Sequence, residues 1–240
     1  MGLDVYVGPL SRYYSGDWET ILQQMARQGG LPITVIRAGE PKVGLLRRLV
    51  DRVLPRKAPD PASVIAAWKQ TLPAALPACD WSDVPDGPYF TDKPAWDCYG
   101  ALVLWAAYDE HPPKERLSAA TDKWNHDETY LRVAESPASR YRHLVGNTEV
   151  WLPIDFETPF SAPMPNGVSA IIGSCPRLLF ELNELNARTW KASAGDIELW
   201  RKEGAEFGAP LEVSARFGFS IFHGLSSKAV ERRLPMKLDY

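Results

Sequence analysis

Residues 101–107, Ala101-Leu102-Val103-Leu104-Trp105-Ala106-Ala107, are apolar without interruption. Wound into a helix, that run carries hydrophobic surface on every side, so it must be enclosed and cannot lie half in water. This requirement constrains the fold more than any other stretch of the chain. Cys98 stands at the mouth of the run, in Trp96-Asp97-Cys98-Tyr99-Gly100, and His111-Pro112-Pro113 closes it. A thiol there can gain thiolate character from a helix N-terminus, or can pack as an inert core residue.

The chain has enough material to build the enclosure. It has 240 residues, 45% of them hydrophobic and 24% charged, which is an ordinary globular balance. Leu3, Val5 and Val7 alternate with Asp4 and Tyr6 and predict a strand. Trp18, Ile21, Leu22 and Met25 follow helical spacing up to Gly29-Gly30 and predict a helix. A β-branched strand is expected at 33–36 and an amphipathic helix from 43 to 54, and a further helix over 62–72 has Val64, Ile65 and Trp68 inward. From 73 to 94 the chain is rich in Pro, Asp and Trp and predicts a long ordered loop, the one place where two lobes could part.

Beyond the buried helix, a short helix is expected over 122–133. Val150, Leu152, Ile154 and Phe156 alternate as a strand, in which Pro153 implies an edge or a bulge. A strand over 168–172 turns through Gly173-Ser174 into a helix lined by Leu178, Leu182, Leu185 and Thr189. Helices over 194–207 and 211–233 complete the chain. Helices outnumber strands and the strands do not alternate strictly with them. The expected fold is therefore α+β: a helix-rich single domain of residues 1–240, with a small mixed β-sheet and long Pro-rich loops.

Several classes of function lose support at this level. The net charge of −3 gives no general attraction to nucleic acid. The basic run of Lys42, Arg47, Arg48, Arg52, Arg56 and Lys57 lacks interleaved aromatic residues and is expected to be a solvated helix face. No apolar stretch approaches the length of a membrane span, and no secretory signal opens the chain. Three cysteines without a CxxC pair suit a reducing, cytoplasmic setting. Four histidines lie outside any metal-binding spacing, and His126-Asp127-Glu128 diverge on a helix, so no metal is expected. Neither GxxxxGK[ST] nor GxGxxG is present, so no nucleotide or other cofactor is expected. Ser174 as a helix cap, with Pro176 in the first turn, accounts for Gly173-Ser174-Cys175-Pro176-Arg177 without an anion.

Two functional readings follow. Arg12-Tyr13-Tyr14-Ser15-Gly16-Asp17-Trp18-Glu19 concentrates residue types that dominate binding hot spots, and the loop around Trp81, Tyr89 and Phe90 is a second such surface. They support a non-catalytic protein-binding module with a protein partner, of which an immunity- or antitoxin-type inhibitor is one example. The alternative starts from Asp97-Cys98-Tyr99-Gly100 and the apolar helix behind it. That segment resembles the Asp-Cys-Ser-Gly segment of papain-like cell-wall endopeptidases, with Tyr99 in place of the small Ser. The resemblance implies a cysteine hydrolase of amides or esters: Cys98 attacks, His143 takes its proton and Asp155 orients the imidazole.

Overall fold

The computed structural model describes residues 3–30, 60–74, 76 and 79–240. The strand expected at 33–36, the helix expected from 43 to 54 and the basic run lie outside these residues.

The all-apolar segment forms helix α4 (Trp96–Glu110), and ten of its fifteen residues are buried. Its main cover is the longest helix of the described residues, α9 (Leu211–Arg232). The two backbones meet at Gly218. A methyl group there would sit 2.4 Å from the Cys98 carbonyl oxygen, so only glycine permits the approach. A second glycine works the same way: a methyl on Gly100 would lie 2.1 Å from Cδ1 of Trp124, whose indole closes over the start of α4. Helix α7 (Cys175–Arg188) adds Leu178, Leu182 and Leu185 to this core. As the sequence implies, the Ser174 hydroxyl caps α7 at the Arg177 amide, and Pro176 occupies its first turn.

Strands β1 (Asp4–Val7), β2 (Phe90–Asp92), β3 (Val150–Leu152), β4 (Phe160–Pro163), β5 (Ser169–Ser174) and β6 (Met236–Asp239) form one sheet in the order β2-β1-β6-β3-β5-β4. Only β3 and β5 run parallel. One face, carrying Val5, Val7, Trp151, Met236 and Leu238, packs against α4 and α9. The opposite face carries Val150, Leu152, Ala170 and Ile172, and a second core forms there with Leu10, Ile65, Trp68, Leu72 and Trp81. These come from α1 (Leu10–Ser15), α3 (Pro61–Lys69) and the Pro-rich stretch after it. Helices α2 (Ile21–Gln28), α5 (Glu128–Ala134), α6 (Arg142–Val145) and α8 (Ala194–Glu203) complete the nine helices of the described residues. The fold is α+β with a mixed sheet, as the sequence predicts.

The differences have local causes. Pro153 does not mark an edge: β3 is a central strand that stops at Leu152, because proline cannot donate to the ladder. The edge on that side of the sheet is β4, which is blunted against further pairing. Pro163 has no amide hydrogen, and its carbonyl accepts the Trp68 indole N–H at 2.8 Å. The helix expected over 122–133 is broken at Asp127, whose carboxylate caps α5 at the Tyr130 amide and accepts the Tyr108 hydroxyl. Helix α2 forms where expected and is closed by a Thr20/Gln23 capping box, but none of its residues is buried. Leu22 and Met25 are 54% and 61% exposed, because the helix is tethered through Gln24, which donates to the Thr91 hydroxyl and the Glu19 carbonyl.

Gly218→Ala is expected to lower stability by about 1–3 kcal/mol, the range for forcing extra volume into a packed core. Urea denaturation should show this as a lower midpoint with an unchanged slope. An unchanged midpoint would mean that α4 and α9 can move apart without cost.

Candidate functional site

The three residues of the hydrolase reading are not brought together. Cys98 is buried in the first turn of α4, beneath α9, where the Ser214 hydroxyl hydrogen-bonds its sulfur. Burial, aided by the neighbouring Asp97 carboxylate, pushes the thiol up to about 12, so the thiolate is disfavoured at neutral pH. His143 lies in α6 with both ring nitrogens engaged elsewhere. Nδ1 accepts the Ser174 amide at 3.0 Å, and Nε2 sits 3.1 Å from the Glu157 carbonyl, which fixes the neutral tautomer with hydrogen on Nε2. Burial lowers its basicity to about 4. Asp155 is exposed and paired with Arg177 at 2.6 Å, not with the imidazole. The Cys98–His143–Asp155 arrangement thus dissolves into three structural roles.

Glu181, which the sequence reading passed over, organises the His143 region. Its two carboxylate oxygens accept the His143 and Leu144 amides, each at 2.9 Å, at the start of the single-turn α6. The Trp151 indole N–H donates to the His143 carbonyl at 2.7 Å. Burial pushes Glu181 up to about 8, against the lowering effect of the two amides. A glutamate in the midst of Leu178, Leu182 and Leu185 was the available signal, since a buried carboxylate needs fixed donors.

The polar–aromatic cluster is where distant segments converge. The second face of the sheet is apolar at β3 and β5, but at β2, β1 and β6 it carries Thr91, Asp4, Tyr6, Lys237 and Asp239. Over this polar half lies the chain from α1 to Glu19. Tyr6 contacts the rings of Tyr13 (5.4 Å), Trp18 (5.0 Å) and Tyr89 (6.1 Å), and Tyr13 stacks on Trp18 at 5.6 Å.

Arg12 joins the two predicted surfaces. Its Nε donates to the Asp17 carbonyl at 2.6 Å, its Nη1 to the Gly87 carbonyl at 2.9 Å, and its guanidinium lies 4.4 Å above the Tyr89 ring. Asp83 accepts the Ser11 amide at the start of α1, and the Tyr89 hydroxyl accepts the Glu19 amide. Tyr13 donates to Asp239 at 2.5 Å, and Lys237 lies 4.9 Å over the Tyr13 ring. Burial raises the Tyr6 and Tyr13 hydroxyls and lowers Lys237.

Arg12, Tyr13, Trp18 and Tyr89 are each half-buried and Asp17 is exposed, so the cluster forms a ledge with an outer surface. Three residues of the expected surfaces are placed otherwise. Trp81 is buried in the second core, with Lys69 4.0 Å over its ring. Phe90 faces the first core, because it pairs with Val7. Tyr14 turns toward an open cleft of about 160 Å³ shared with Pro61, Val64, Ile65, Pro165 and Asn166. Its buried hydroxyl has no hydrogen-bond partner among the described residues and is pushed up to about 12 by burial.

No protein-family model, curated protein or solved structure matches the chain. Among the described residues no cluster of His, Cys, Asp or Glu is placed to hold a metal ion, and no helix is long and apolar enough to cross a membrane.

Two measurements check this geometry. In the native protein Cys98 should resist iodoacetamide near neutral pH and react only on unfolding, whereas the partly exposed Cys79 should react first. Prompt native labelling of Cys98 would restore the hydrolase reading. For Glu181, the folded value of about 8 lies above the ordinary 4.5, so the folded state holds this proton more tightly than the unfolded one. Wild-type stability should therefore fall relative to Glu181→Gln as pH rises from 4.5 to about 8, in paired denaturant titrations. A constant difference across that window would refute the assignment.

Proposed function

We propose that this chain is a non-catalytic protein-binding module of a reducing, cytoplasmic setting, which engages a protein partner through the ledge of Arg12, Tyr13, Asp17, Trp18 and Tyr89. The observation that carries this reading is the Arg12 clamp. By holding the Asp17 and Gly87 carbonyls and the Tyr89 ring, it fixes half-exposed aromatic side chains from two distant segments before any partner arrives. Side chains already ordered lose little entropy on binding, and Tyr, Trp and Arg are the types that dominate hot spots. The triad residues lend catalysis no comparable support, since His143 has no free ring nitrogen with which to accept a proton. An immunity- or antitoxin-type inhibitor fits the same description, because such a protein needs only a rigid complementary surface.

The test compares tagged full-length protein with a Trp18→Ala, Tyr89→Ala double variant in native pull-downs. Wild type should recover a stoichiometric protein partner, and the double variant should bind it at least roughly thirtyfold more weakly, the effect of about 2 kcal/mol at a hot spot. A Phe207→Ala variant, altered at a fully exposed turn away from the ledge, should bind as wild type does. No stoichiometric partner, or equal recovery by the double variant, would overturn the proposal.

A further inference from the structure

We infer that Asn166 is a site of covalent self-modification, where the side-chain amide becomes a carboxylate through a succinimide formed with the Gly167 nitrogen. The site is the tip of the β4–β5 hairpin and is independent of the protein-binding reading.

The hairpin turns through Met164-Pro165-Asn166-Gly167. The Gly167 amide donates to the Met164 carbonyl at 2.8 Å, and the Met164 amide donates to the Val168 carbonyl at 2.9 Å. Proline and asparagine at the centre, with a left-handed glycine after them (φ 81°), suit such a turn. Asn166, Gly167 and Val168 are exposed, and a methyl built on Gly167 would meet nothing within 4 Å, so no neighbour packs against the tip. Asn166 Oδ1 accepts the Val168 amide at 3.1 Å. The ring closed by this bond contains both Asn166 Cγ and the Gly167 nitrogen, so the side chain is folded back along the peptide whose nitrogen attacks it. The same bond draws electron density from the amide carbonyl and makes Cγ more electrophilic.

In the first step the Gly167 nitrogen gives its proton to water and bonds to Cγ, and the Cγ–Nδ2 bond breaks with release of ammonia. Water then opens the ring and returns a proton to that nitrogen. Cleavage at Cγ leaves aspartate, whereas cleavage at the Asn166 backbone carbonyl carbon leaves isoaspartate, with the main chain running through Cγ. Nothing is oxidised or reduced. Glycine has no Cβ to hinder the attack. The Gly167–Met164 hydrogen bond must open first, and an exposed turn opens at the low end of local free energies. The other four asparagines lack this combination. Asn183 and Asn186 are held in α7, with side chains bonded to His223 and Ala192. Asn147 accepts the Tyr130 hydroxyl ahead of the β-branched Thr148, and Asn125 lies in a single 3-10 turn before His126. The product adds a negative charge at the rim of the Tyr14 cleft, and isoaspartate lengthens the turn that joins β4 to β5.

The test ages the folded full chain in mildly alkaline, denaturant-free buffer and follows it by isoelectric focusing and by mass spectrometry of its peptides. A more acidic species should accumulate, with the amide-to-acid mass gain at Asn166. That change should run at least about tenfold faster than at any other asparagine, a barrier lower by about 1.4 kcal/mol. The aged species should focus with fresh Asn166→Asp and should not form in Asn166→Gln, whose longer side chain does not close the five-membered ring. A methyltransferase specific for isoaspartyl carboxylates should label the aged wild type and not fresh Asn166→Asp. No gain at Asn166, or a gain no faster than at the other asparagines, would overturn the inference. Aspartate formed without any isoaspartate would overturn the succinimide route.

Discussion

The close crossing of α4 and α9 at Gly218 is the contact on which the rest of the architecture depends. A helix apolar on all sides has no stable place except between other layers. Here α9 comes close enough to touch the Cys98 carbonyl, Trp124 folds over Gly100, and the sheet closes the remaining side. With one face of the sheet committed to α4 and α9, the other face is left for the second core and for the ledge. Strand β3 lies between the two cores and is buried on both faces, and its Val-Trp-Leu sequence suits that place.

The ledge exists because that second face changes character part-way across. Apolar residues at β3 and β5 require an apolar cover, which Ile65, Trp68 and Trp81 supply. Asp4, Tyr6, Lys237 and Asp239 require donors, acceptors and ring faces, and the chain from α1 to Glu19 supplies those. Rigid polar–aromatic surface therefore arises where the sheet's own polar residues are roofed by a segment that cannot bury all of itself. The exposed apolar side of α2 has the same origin: its tether runs through Gln24, so Leu22 and Met25 are left outside.

The residues of the hydrolase reading show how a motif can be legible and still mislead. The order Cys98, His143, Asp155 permits a triad, but order along the chain does not carry distance. Each residue has a structural partner that the sequence places far away: Ser214 for Cys98, Ser174 and Glu157 for His143, Arg177 for Asp155. Glu181, the residue that holds His143 in place, lies within a stripe of leucines and has no chemical motif around it.

By itself the sequence did not determine the short α1 and α6 or the strands β2, β4 and β6, but it determined much of the other local structure: the helices around residues 101–107 and over 211–233, where Ser174 and Pro176 begin a helix, that residues 101–107 are enclosed, and that the fold is α+β. These follow from periodicity, capping and propensity, which act over a few residues. It also marked residues 12–19 and 81–90 as dense in binding types. Only the tertiary structure decided that parts of these segments form one surface, that Trp81 and Phe90 turn away from it, and that Asp4 meets Asp239. Those outcomes depend on strand register and on one arginine reaching across the chain. Register is fixed by the packing of both sheet faces at once, so no local pattern contains it.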